Sequence, residues 1–134
     1  MASGCGGSSA KPLTTAELTA KADTICKSVS AKLASKTVNS EQGLARLAPE
    51  LASFEQTALS QLSKLVPPVQ LESDWKVFVA GAQTLAEDTA KLGEYAKINK
   101  LARGRQLIVS SNVVEKQMEA IAKRDGLTAC EQVA

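Results

Sequence analysis

The chain has 134 residues, 44% of them hydrophobic, enough for one domain that buries about two-thirds of the surface its unfolded form exposes. Lys and Arg number 16 against 14 Asp and Glu, a formal charge of +2, which excludes the strongly basic footprint of a dedicated nucleic-acid binder. Histidine is absent, so the commonest general base and the commonest zinc or copper ligand are missing, and with them most familiar hydrolytic and metal chemistries.

The first residues are small, and Ala2-Ser3-Gly4-Cys5 resembles the end of a bacterial lipoprotein signal, in which a cysteine takes the lipid and becomes the new N-terminus. Met1 then reads as a start set inside such a signal, downstream of its apolar stretch. A tag remnant or an ordinary Gly/Ser start is the other reading. Either way residues 1–12 are expected to form a flexible linker and residues 13–134 the folded domain. One acyl group holds a protein only weakly at a membrane; the bacterial modification supplies more than one, which makes Cys5 a sufficient anchor.

Thr14-Thr15-Ala16-Glu17 has the form of a capping box and predicts a helix start. Downstream, Leu18, Ala22, Ile25, Val29 and Leu33 recur at helical spacing, with Lys21, Lys27 and Lys32 elsewhere around the helix. A break over Lys36 to Ser40 separates this helix from a second, marked by Leu44, Leu47, Leu51, Phe54, Ala58, Leu62 and Leu65 and ended by Pro67-Pro68. Pro49 falls inside it, so the helix either continues with one backbone bond missing or restarts with Pro49 in its first turn; continuity with a kink is the preferred reading.

A third helix is expected from Glu72-Ser73-Asp74, whose acidic and capping side chains suit a helix N-terminus, with Trp75, Phe78, Ala82, Leu85, Ala86, Thr89, Leu92 and Ala96 inward. The fourth runs from about Lys100 to Arg124 with Leu101, Leu107, Ile108, Val114, Met118 and Ile121 inward. Lys123 and Arg124 suit its C-terminus, Gly126 the left-handed position beyond it and Leu127 the accompanying apolar contact. Four amphipathic runs with short connections and no alternating pattern predict an all-α, antiparallel four-helix bundle.

Cys26 lies in the first helical pattern near the start of the chain and Cys130 near its end, an arrangement that predicts an N-to-C disulfide closing almost the whole domain, if the chain meets an oxidising compartment. Two small buried thiols in a cytosolic protein are the alternative. Cys5 is then the odd thiol, consumed by lipid. No C-x-x-C redox motif is present.

In order, the lipobox-like Cys5, Ala22-Asp23-Thr24-Ile25-Cys26, Leu65-Val66-Pro67-Pro68 and Gly126-Leu127-Thr128-Ala129-Cys130 resemble small secreted or lipoprotein helical domains of actinobacteria, over Leu13 to Cys130. The resemblance implies an exported, cysteine-bridged bundle outside the cytoplasmic membrane. It carries no catalytic residues, and it makes a structural hydrogen bond from Asp23 an expectation.

Three constellations are candidates for function. Lys97, Lys100, Arg103 and Arg105 cluster at the third connection and suit an anionic surface, either lipid headgroups or a cell-wall polymer. Phe54, Trp75, Phe78 and Tyr95 suit an apolar pocket between helices, although core packing is the ordinary use of such residues. Glu87, Asp88, Glu94, Glu115 and Glu119 allow carboxylate pairs, but without histidine they read as solvated faces rather than a metal or acid-base centre. Ser110 and Ser111 have no base, so no enzyme, no cofactor and no metal is expected. The expected function is a non-catalytic, lipid-anchored module of the cell envelope that binds another envelope component. The alternative is a carrier or sensor of a small apolar ligand.

Overall fold

The computed structural model describes residues 10–132. Four α-helices run up and down, α1 (Thr15–Ala34), α2 (Glu41–Ser63), α3 (Glu72–Lys97) and α4 (Leu101–Asp125), with 3-10 turns at Val69–Leu71 and Cys130–Gln132 and no strand among the described residues. This is the expected bundle. Cys5 and most of the expected linker lie outside the described residues.

The helix ends follow from local chemistry. Glu17 N–H donates to Thr14 Oγ1 at 3.2 Å and Thr14 N–H donates to Glu17 Oε2 at 2.8 Å, the reciprocal capping box. The Thr14 backbone N–H thereby holds the Glu17 carboxyl below its ordinary range. Ser40 caps α2 by accepting from Gly43 N–H at 3.0 Å, and α2 runs unbroken through Pro49. At α3 the expectation needs correcting: Leu71 holds the cap position with no side-chain bond, and Ser73 lies inside the first turn. Glu72 and Asp74 still lie in the first turn, where they suit the helix dipole, and Asp74 also pairs with Arg124 of α4 at 2.7 Å. Helix α4 ends at Gly126 with φ 77°, and Leu127 N–H donates back to Ala122 O at 2.8 Å while its side chain is buried.

Helices α2 and α3 form the central pair, α4 packs on α3, and α1 packs on α2. Small residues set the closeness of the central pair: a Cβ on Gly93 would lie 2.6 Å from the Cβ of Ala48, nearer than two carbons can stand. The tail after α4 touches both α4 and α1 and so closes the row of helices into a bundle. Its cross-link is the expected one, Cys26 to Cys130, with an S–S distance of 2.07 Å and Cα atoms 5.1 Å apart. Beside it Ala129 N–H donates to Asp23 Oδ1 at 3.1 Å, which gives Asp23 its structural hydrogen bond.

Around this clamp lies the core: Leu18, Ala22, Leu62, Trp75, Phe78, Met118, Ile121 and Leu127, with both cysteines. On α4 two inward assignments change. Ile108 is 45% exposed, because α4 has only α3 as a close helical neighbour and the flank of its apolar stripe stays open. Ser111 is buried instead, its hydroxyl donating to Asp88 Oδ2 at 2.8 Å. Asp88 is therefore no part of a solvated face, and this hydrogen bond satisfies a carboxylate taken out of water between α3 and α4.

Candidate functional site

The four aromatic residues expected around one pocket do not all meet. Trp75 and Phe78 stack in the core with ring centroids 5.6 Å apart. Phe54 is half-buried on α2 with the Lys32 ammonium 4.7 Å from its ring centroid, a cation-π contact between α1 and α2. Tyr95 stands near the other end of the bundle beside Leu44, Leu92 and Leu101. Residues 75 and 78 fall one turn apart near the start of α3 and residue 95 near its end, so helical geometry alone separates them.

A cavity does lie between the helices. Its volume is about 60 Å³ and it is partly open to solvent. Phe78 is the only one of the four aromatics on its wall, which otherwise comes from Ile25 and Val29 of α1, Leu59 and Leu62 of α2, Leu85 of α3 and Met118 of α4. One further wall residue is charged: Glu55.

Glu55 sits four residues after Leu51 and three before Ala58, on the apolar stripe of α2 rather than on its polar face. The Thr89 hydroxyl on α3 donates to its Oε1 at 3.1 Å. Oε2 is buried without a hydrogen-bond partner in the protein, the one such side-chain atom among the described residues. Burial pushes the Glu55 carboxyl up to about 7; the Thr89 hydrogen bond opposes the rise and the nearby charge of Glu115 on α4 adds to it. Neither Glu55 nor Glu115 forms an ion pair with a described residue. Sequence reading passed over Glu55, and the signal that marks it is an acidic residue occupying a stripe position between two apolar ones.

The basic residues are all exposed and all at the α3–α4 end. Lys97 is paired with Glu94 at 3.1 Å, which removes it from the free positive charge. Lys100 and Arg105 flank a shallow groove with Tyr95, Leu92 and Ile108, and Arg103 lies on the other side of Tyr95 with Gln106 and Ser110. Arg103 and Arg105 are about 200° apart around α4, so the group straddles Tyr95 rather than forming a single stripe. Exposed Ile98 and Val109 lie on the same half of the molecule, and exposed Val113 lies midway along α4.

Among the described residues no group of three or more His, Cys, Asp or Glu side chains is placed to hold a metal ion. No helix among them is long and apolar enough to cross a membrane. Compared with family models, curated proteins and solved structures, the chain matches none of them.

Proposed function

We propose that the protein is a non-catalytic binding domain of the cell envelope, tethered through a lipid on Cys5, as its resemblance to small actinobacterial lipoproteins implies. The observation that carries this reading is the Cys26–Cys130 cross-link, since such bonds persist outside the reducing cytoplasm. The position of the chain entry supports it further. Leu13 N–H donates to Val66 O at 2.9 Å at the cross-linked end, whereas Lys100, Arg103 and Arg105 sit at the opposite end of α4. That helix has 25 residues and spans about 37 Å at 1.5 Å each. A tether on Cys5 would join the domain at its cross-linked end and leave the basic end free to face away from the membrane. The basic group then suits an anionic partner, an envelope protein or a cell-wall polymer, more than the headgroups beneath the anchor. Tethering raises the effective concentration of this end for such a partner without any catalytic group.

Fractionation of cells making the precursor with its full signal, in wild-type and Cys5→Ser forms, tests the reading. The wild type is expected in the membrane fraction and the Cys5→Ser protein in the soluble extracytoplasmic fraction. Identical soluble localisation of both would contradict it.

The cavity supports a second reading, a carrier or sensor of a small ligand, because an apolar wall carrying one unpaired polar atom is the usual composition of a ligand site.

A further inference from the structure

We infer that the cavity beside Glu55 is a binding site for a short aliphatic primary amine, its ammonium on the Glu55 carboxylate and its alkyl chain against Leu59, Leu62, Phe78 and Met118. The inference rests on the second reading above and names the ligand class for it.

Size is the first argument. At about 60 Å³, with a mouth open to solvent, the cavity has room for a small alkyl group and none for a large rigid ligand. Polarity is the second. The walls are apolar apart from Glu55, whose Oε2 is buried and lacks a hydrogen-bond partner in the protein. A ligand group that donates hydrogen bonds satisfies that oxygen; a carboxylate or phosphate would meet it as a like charge.

Charge separates an amine from a neutral alcohol. The charge of Glu115 adds to the cost of ionising Glu55, and neither has a basic partner among the described residues. Lys32 of α1 lies over the Phe54 ring and forms no ion pair with Glu55, and the Thr89 hydroxyl on α3 is a neutral donor. An ammonium placed at Oε2 pairs with Glu55, screens Glu115 and makes a charge-assisted hydrogen bond, stronger than the one an alcohol makes.

The test is titration of the oxidised domain at pH 8 with n-butylamine, n-butanol and butyrate, followed by the NMR signal of the Met118 methyl. Butylamine is expected to shift that signal with at least tenfold tighter binding than butanol, and butyrate to leave it unmoved. In a Glu55→Gln variant, checked for helicity by circular dichroism, butylamine is expected to fall to the affinity of butanol. An Ala82→Leu variant, which fills the cavity wall from α3, is expected to abolish the response to both. Equal binding of butylamine and butanol would overturn the amine assignment and leave the small-ligand reading standing. No shift with any probe would overturn both, and undiminished butylamine binding to Glu55→Gln would remove Glu55 from the site.

Discussion

Reducing the Cys26–Cys130 bond, or replacing both cysteines by alanine, is expected to lower the unfolding free energy by up to about 4.7 kcal/mol, the chain-entropy value for a closed loop of this length. The two cysteines are 104 residues apart, so the bond removes freedom from nearly the whole unfolded chain. Small domains have about 5–15 kcal/mol in total, which places the reduced form near the edge of folding at 37 °C. The native side of the balance points the same way. Helix α1 is held by α2 and by the tail, and the tail is held to α1 by this bond and by Asp23. Denaturant titration with and without reductant measures the loss, and amide exchange should show α1 opening before α2 and α3. A loss below about 1 kcal/mol would mean that α1 is secured by its own contacts.

A Glu55→Gln variant is expected to be more stable than wild type above neutral pH and equal to it near pH 4.5. The carboxyl is raised in the folded protein, from an ordinary value of 4.5 to about 7, so it stays neutral in the native state over a range where the unfolded chain ionises. The stability this gives at low pH is fully present below about 4.5, is lost as pH rises to about 7, and stays lost above that. The full difference corresponds to about 3 kcal/mol at 1.36 kcal/mol per pH unit, and partial access of solvent to the carboxyl reduces it to about 2 kcal/mol. Glutamine keeps the neutral shape, can still accept from Thr89, and escapes the penalty. Asp125 is also raised, by burial and then by Asp74, and it titrates in both proteins, so the difference between the two stability curves isolates Glu55. Curves that run parallel from pH 4.5 to 8 would contradict the environment described for Glu55.

The features legible in the sequence are those fixed by neighbours along the chain. Thr14 and Glu17 cap each other across three residues, Gly126 supplies the left-handed turn that ends α4, and Ser40 and Pro67-Pro68 bound α2. Periodicity found all four helices because each stripe repeats over several turns. The Cys26–Cys130 pairing was legible for a different reason: one cysteine lies near the start of the folded domain and the other near its end, where a bond closes almost the whole of it. What was not legible depends on which element comes to cover a face. Ile108 keeps the right phase on α4 but has no helix opposite it, and Asp88 reads as solvated until Ser111 is known to face it. The four aromatics shared an apolar character and nothing that would bring them to one place. Glu55 was the most informative residue to be missed. Its phase put it among Leu51, Ala58 and Leu62, and a charge on that stripe was the mark of the cavity.

The central claim, that this domain works beyond the reducing cytoplasm, is tested most directly by counting its free thiols in living cells. Cells are treated with a membrane-permeant alkylating reagent before lysis, and the intact mass of the purified protein is then measured with and without prior reduction. The account predicts that Cys26 and Cys130 escape the reagent unless the protein is first reduced. Both residues alkylated in unreduced cells would contradict it.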